Sequence, residues 1–291
     1  TSCVAAREMG FIRTDEMLRR LRASTETLEK LEKWHGQLYN WYDLKRLAPM
    51  HPRYVSAVDS GNLAACLLLC ANAVRDAFLA QRMRDLCADM ELERLYDADR
   101  KLFFIGADVE NGRVSASHYD LFASESRILS YTAIMLGKAP VRHWQALSRP
   151  TASIGGECAA LSWSGTMFEY LMPDLFLNAP AHSLSGQSSR TAIRAQLRFA
   201  RKNHRPMGIS ESGCHTFDLH MNYQYRAFGL RDLSLSGECA QYVVAPYASV
   251  LALRRMPAAA ANNIIEMRDL GWFDGGGMME AADYLNADAL G

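Results

Sequence analysis

The chain lacks an excess of charge of either sign: 32 Lys and Arg stand against 32 Asp and Glu in 291 residues. No net field would gather a polyanion, so nucleic acid is not an expected partner and neither is an anionic membrane surface. A long apolar run is missing too. Leu63 to Val74 is the longest, short of the roughly 20 residues a bilayer span takes, and no basic-then-apolar leader opens the chain. The segment itself reads as soluble, with no membrane span of its own. There is neither a Gly-x-Gly-x-x-Gly nor a Gly-rich phosphate loop with Lys, which removes support for a nucleotide cofactor. The seven cysteines (Cys3, Cys66, Cys70, Cys87, Cys158, Cys214, Cys239) are odd in number, as expected of buried thiols in a reducing compartment. Neither Cys-x-x-Cys nor His-x-x-x-His spacing occurs, so Cys214, His215, His220 and Cys239 read as structural or pocket-wall residues and no metal is expected. Gly208-Ile209-Ser210-Glu211-Ser212-Gly213 fails as a nucleophile elbow, because its second glycine comes one residue late and no strand precedes it. No cofactor of any kind is called for.

What is present is a hydrophobic content of 49%, enough for a full core in one large domain or two small ones. The periodicity is helical. Thr14 can cap a helix with Asp15 and Glu16 in its first turn and an apolar stripe through Met17, Leu21, Leu28, Leu31 and Leu38. Asn62 to Val74 is apolar nearly all round, and Phe78, Met83, Leu86, Cys87 and Met90 mark a one-sided successor. Further helices are expected over Ala123–Leu136, Gly165–Leu177, Gln187–Asn203, Tyr242–Arg254 and Pro257–Leu270, the last with Pro at its first turn and Gly271 beyond its end. Lys101–Ala107 and Arg113–Ser117 flank an Asn-Gly turn and predict a small β-hairpin insertion. Arg205–Gly237 shows little periodicity, the mark of a functional loop. With no repeat, low-complexity linker or Pro-rich boundary, residues 1–291 read as one domain. Alternating buried and half-exposed helices predict an all-α fold, an (α/α) barrel, with about nine helices legible where closure takes more.

Two short turns carry the chemistry. Ser124-Glu125-Ser126 and Ser210-Glu211-Ser212 place carboxylates 86 residues apart, and glycosidic bond cleavage needs one carboxyl to protonate the leaving oxygen and another to stabilise or attack the anomeric carbon. Each has a plainer reading. Glu125 at a helix start can simply complement the helix dipole, and Glu211 can be a loop residue held by turn amides. If Glu125 is to donate a proton, burial or a second carboxylate must offset the helix N-terminus and Arg127.

Aromatic and polar residues mixed in the manner of a sugar groove supply the other half of the case. Trp41 and Tyr42 lie in Tyr39-Asn40-Trp41-Tyr42-Asp43; Trp163 stands near Phe168, Glu169 and Tyr170; Tyr223 and Tyr225 lie in Asn222-Tyr223-Gln224-Tyr225-Arg226. With Tyr119 and Arg127 they form the candidate substrate contacts. Phe168 and Leu171 read as core. Asp59 can cap the helix that follows it or reach into a cavity.

These strings together resemble a known family. His35-Gly36-Gln37-Leu38-Tyr39-Asn40-Trp41-Tyr42-Asp43, Pro52 to Ser56, Asp59 to Ala64, Tyr119 to Leu121 with Ala123 to Glu125, Val141 to Trp144, Ser162 to Pro173, Gly208 to Ser212, Tyr223 to Tyr225 with Phe228-Gly229, and Val244 to Tyr247 run in order over nearly the whole chain. They look like the glucoamylase-like central domain of bacterial cyclic β-1,2-glucan synthases, glycoside hydrolase family 189. The resemblance implies an (α/α)6 barrel that cyclises linear β-1,2-glucan by anomer-retaining transglycosylation, with Glu211 as nucleophile and Glu125 as general acid/base. It also implies that the chain is a piece of a membrane-associated synthase, beside glycosyltransferase and phosphorylase-like domains on the cytoplasmic side of the bacterial inner membrane. Two departures stand out: Gly213-Cys214-His215 replaces an Ala and an aromatic, and Gly275-Gly276-Gly277 replaces a stretch with aromatics. A β-1,2-glucan hydrolase of the same fold and a non-catalytic glucan-binding domain are the alternative readings.

Overall fold

The computed structural model describes residues 1–237 and 240–284; Cys239 lies outside the described residues. The chain divides into two compact units, one of Thr1–Asp120 with Ile128–Leu147, the other of Leu121–Arg127 with the chain from Ser148 onward. Among the described residues, no helix is long and apolar enough to cross a membrane.

The first unit holds α1 (Ser2–Glu8), α2 (Thr14–Lys30), α3 (Ala57–Ala73), α4 (Ala77–Ala88), most of α5 (Arg127–Met135) and α6 (Arg142–Ala146). On α2 the apolar stripe buries Met17 and Leu21, but the helix ends at Lys30. Leu38 falls in a strand paired with Lys33–Trp34 across His35-Gly36, both at positive φ, so the expected stripe is cut by a left-handed turn. Ser56, rather than Asp59, caps α3 by accepting the Asp59 N–H at 3.2 Å. Buried Leu67, Cys70 and Ala71 of α3 join Leu79, Met83 and Cys87 of α4 in one core with Phe103 and Leu129. His143 is wholly buried in this core, its ring nitrogens bonded to the Lys101 carbonyl and the Ser130 hydroxyl at 2.8 Å each, and burial pushes its pKa down. It is a satisfied core histidine.

Gly61 marks the tightest approach in this core. A Cβ there would lie 2.5 Å from both the Cα and Cβ of Leu129 on α5, so α3 could not keep its place against that backbone. Gly61→Ala is expected to cost on the order of 2 kcal/mol, beyond any gain in helix propensity; a denaturation midpoint equal to or above the parent's would refute the close packing.

The second unit is built on α7 (Met167–Leu171) with a 3-10 turn at Met172–Leu175, α8 (Leu184–Lys202), α9 (Pro246–Ala252) and α10 (Pro257–Asp269). The expected helix over Gly165–Leu177 is shortened because Gly165 sits at a positive φ and Pro173 lies in the 3-10 turn. That over Tyr242–Arg254 starts late because Val243–Val244 is spent in a strand paired with Ala282–Asp283. Likewise Ala123–Leu136 is helical only from Arg127, which leaves Glu125 before the helix.

The all-α expectation needs correction. Ten helices among the described residues are fewer than a closed (α/α)6 barrel takes, and they alternate with eight small antiparallel sheets of two or three strands. Most of these strands are two to four residues long, too short for a period-2 pattern to stand out in sequence. The expected Asn-Gly hairpin forms between Gly106–Asp108 and Arg113–Val114, whereas Leu102–Phe104 pairs with Tyr96–Asp97 and His118–Tyr119. The aperiodic Arg205–Gly237 stretch contains a hairpin of its own, Ser212–Phe217 with Tyr223–Arg226, interrupted by a bulge between Cys214 and Phe217.

Candidate active site

Both Ser-Glu-Ser turns belong to the second unit, and each is held by buried side chains rather than by regular structure. For Glu211 the holding begins with Gln196 on α8. This side chain, fully buried, donates from Nε2 to the Ile209 carbonyl at 2.8 Å and accepts from the N–H groups of Gly208 and Ile209. Asn263 on α10 does the same one step earlier, accepting the Met207 N–H at 2.8 Å and donating to the Met207 carbonyl and the Ser249 hydroxyl. Tyr247 on α9 then donates to the Glu211 carbonyl at 2.9 Å while its oxygen meets Ser210 Oγ, and Ser210 Oγ accepts the Phe168 N–H. Buried amides in such two-way bonds fix a backbone closely, since any shift strands polar groups away from water. Burial, more than any neighbouring charge, pushes the Tyr247 hydroxyl up.

The Glu125 turn is held by Arg127. Only 4% exposed, this guanidinium donates to the carbonyls of Ser124 (3.2 Å), Glu169 (3.4 Å) and Tyr170 (3.1 Å) and to the Ser185 hydroxyl, over the ring of Phe122. Burial depresses its pKa to about 10, which leaves it charged at neutral pH. Arg127 is thus occupied by the chain itself. The Ser124 hydroxyl donates to Glu125 Oε2 at 3.1 Å and accepts the Ser126 N–H.

Glu169 stands beside both turns with its carboxylate filled. It closes a capping box with Thr166 at the start of α7 and accepts from the Ser162 hydroxyl (2.8 Å), the Thr166 N–H (2.9 Å) and the Ser164 N–H (3.2 Å). Tyr170, 1% exposed, donates to the Ala160 carbonyl at 2.8 Å. Both side chains are therefore engaged in the fold, although sugar contacts were expected of them.

Electrostatics bring the three carboxyl groups together. Burial, then the charge of Glu169, raises the Glu125 pKa. At Glu211 burial comes first, followed by the charges of Glu125 and Glu169, and together they raise it to about 7; a hydrogen bond from Tyr225 acts the other way. The Tyr225 hydroxyl itself is pushed up to about 12, chiefly by burial. Burial and a neighbouring carboxylate thus act on both groups, Glu169 on Glu125 and both Glu125 and Glu169 on Glu211, and each favours the protonated form more than a free glutamate does.

The remaining expected contacts divide by unit. Trp163, Tyr223 and Tyr225 lie in the second unit and are 62%, 58% and 59% exposed. Trp41, Tyr42, Asp59 and Tyr119 belong to the first. There the Tyr42 hydroxyl is already bonded to the Glu32 carbonyl and the Tyr39 N–H, while Trp41 and Asp59 are exposed. Of the other reactive side chains, the Cys214 thiol bonds Thr216 and the Gln224 carbonyl, and His215 pairs with Asp283 at 2.8 Å. A groove of about 610 Å³ between α8 and α10, lined by Arg201, His204, Asn262 and Glu266 among others, contains none of the three carboxyls.

No family model matches the chain. It is 26% identical over 414 aligned residues to the cyclic β-(1,2)-glucan synthase NdvB of Rhizobium meliloti (strain 1021); the match takes in 97% of this chain and 15% of that protein. Among solved structures, the endo-β-1,2-glucanase from Chitinophaga pinensis superposes with a TM-score of 0.74 at 14% identity, covering 97% of this chain and 73% of that one. The β-1,2-glucanase from Parabacteroides distasonis gives 0.79 at 16% identity, over 96% and 46%. The fold is glucoamylase-like and glucanase-like. The chain is also a distant relative of NdvB, of whose length it spans about 15%.

Sequence reasoning singled out the two carboxylates and missed what holds them: Gln196, Asn263 and Tyr247 behind Glu211, Ser162 and Thr166 around Glu169. The available signal was polar residues set on the buried faces of helices, Gln196 among Ala192, Ile193 and Ala200 being the clearest.

Proposed function

We propose that this chain is a glycosidase domain that cleaves β-1,2-glucan, with Glu125 and Glu211 as its acid/base and nucleophilic carboxyls. The observation that carries the reading is the pair of carboxyls raised by burial and by neighbouring carboxylate charge, each on a backbone turn anchored by buried polar side chains. The names of the fold relatives, which are β-1,2-glucanases, point to the same linkage.

The assignment of roles follows the sequence resemblance, Glu125 as proton donor and Glu211 as nucleophile. The local donors do not separate them, since Ser124 favours the ionised form of Glu125 as Tyr225 does that of Glu211, and Glu169 opposes both. In the forward step Glu125 protonates the leaving glycosidic oxygen while the Glu211 carboxylate attacks the anomeric carbon, which forms a glycosyl ester. Glu125, now the base, then takes a proton from the acceptor as the ester breaks.

With water as acceptor the outcome is hydrolysis. The kinship with NdvB along 97% of this chain favours a second reading, in which a hydroxyl of the same glucan is the acceptor and the products are cyclic or redistributed chains made within a larger membrane-bound synthase. Incubation with linear β-1,2-glucan separates the two. Hydrolysis is expected to liberate reducing ends in step with loss of long chains; cyclic products without new ends would establish transfer. Retention of glucan with no turnover of any kind would leave only a binding domain.

A further inference from the structure

The hairpin that follows Glu211 carries an aromatic row of its own. Its register sets Gly213 opposite Tyr225 and Phe217 opposite Tyr223. Cross-strand partners share a face, as do residues two apart on one strand, so Gly213, Tyr225, Tyr223 and Phe217 all lie on one side. Phe217, Tyr223 and Tyr225 are 57%, 58% and 59% exposed, so this face keeps its rings toward solvent. Strand geometry spaces Tyr225 and Tyr223 roughly 7 Å apart along the strand. The inner end of the row is Tyr225, opposite Gly213 and so beside the strand position two residues after Glu211.

A carboxylate lies beside the rings. Glu280 Oε1 accepts the Gly213 N–H at 3.0 Å, which sets the carboxylate at the edge of the same patch. The glycine makes this possible. A Cβ at position 213 would fall 2.7 Å from Glu280 Oε1 and 2.9 Å from Tyr223 Cε2, so any side chain there would drive the carboxylate and the ring from their positions. The neighbouring residues Cys214 and Gln224 point to the other face, where the thiol bonds the Gln224 carbonyl.

We propose that Tyr225, Tyr223 and Phe217, with Glu280 as hydroxyl acceptor, form a platform that carries a linear glucan chain outward from Glu211, so that the hairpin sets the preference for long substrates. Aromatic planes meet the apolar faces of sugar rings, and a carboxylate accepts from the ring hydroxyls. The occupant follows from continuity: the hairpin that carries the row starts at Ser212, directly after Glu211, so the row extends the site where the glucan reacts. This inference rests on the proposed function and adds Phe217, Glu280 and Gly213 to it.

The test compares linear β-1,2-glucan of long chain length with sophorotriose, a chain of three sugars. In the parent and in Phe217→Ala/Tyr223→Ala, Gly213→Ala and Gln224→Ala, two quantities are measured: turnover of each substrate, and retardation in native gels containing the long glucan. The double variant is expected to bind and turn over the long chain about tenfold less well, with sophorotriose unaffected. Gly213→Ala should move the same way, since only side-chain ends have to shift, and Gln224→Ala should match the parent. Unchanged melting temperatures establish folding, because the two rings removed are exposed at the hairpin. A parent that cleaves the long chain while the double variant does so equally well overturns the platform alone. A parent that neither cleaves nor retains the glucan overturns the proposed function, and the platform's occupant with it.

Discussion

Glu211→Gln is expected to abolish turnover of β-1,2-glucan, by about 10³-fold or more in kcat, and at the same time to make the protein more stable at alkaline pH. The second half follows from linkage. Folding raises the Glu211 pKa from 4.5 to about 7, so the folded state favours the protonated carboxyl. The stability this confers is complete below pH 4.5, the unfolded value, and is lost as pH rises through 7. A neutral Gln does not undergo that loss. At pH 8 the variant should exceed the parent by on the order of 2 kcal/mol, or about 4 °C in Tm, and at pH 4 the two should agree. Thermal scans at both values check it. A variant that is inactive and also less stable at pH 8 would mean that Glu211 supports the fold and is not held there at a cost to stability.

The same shifts give the activity its pH profile. Glu211 must be ionised to attack and Glu125 protonated to donate, so kcat/KM should climb with pH through about 7 and fall again once Glu125, raised by burial and by Glu169, loses its proton. Glu125→Gln removes the donor and should spare substrates whose leaving group needs no proton, such as a nitrophenyl glycoside, relative to glucan.

How far the molecule could be read beforehand depended on the range of the forces involved. α10 was legible to within a residue because its signals are local, Pro257 in the first turn and Gly271 past the end. The hairpin after Glu211 was not, since its bulged pairing joins residues that no periodicity relates. At the site the carboxyl groups could be picked out as unusual tripeptides, but whether a polar residue faces substrate or the chain's own backbone is decided by tertiary placement. Glu169, Tyr170 and Arg127 each carry the composition of a sugar contact and are each buried against main-chain or capping partners. Conversely the place of Gln196 on an apolar helix stripe marks it as buried but not as functional, because a lone amide there, like Asn263 on α10, gains its meaning only from the loop it meets.

Arg127 is where the two possibilities separate most sharply. Were it a substrate ligand, its replacement would raise KM and leave the protein as stable as before. Its bonds argue otherwise: the guanidinium joins the carbonyl of Ser124, next to Glu125, to the carbonyls of Glu169 and Tyr170 on α7. Arg127→Met is therefore expected to strand these acceptors away from water and cost about 3 to 5 kcal/mol, roughly 10 °C in Tm. The Glu125 turn would lose its tether with it, so kcat should fall further than KM rises. Arg127→Lys retains the charge but cannot spread donors over several acceptors, and should recover part of the stability with less of the kcat. Equal recovery of both, or a KM effect with Tm unchanged, would return Arg127 to the substrate and leave the placement of Glu125 to Ser124 alone.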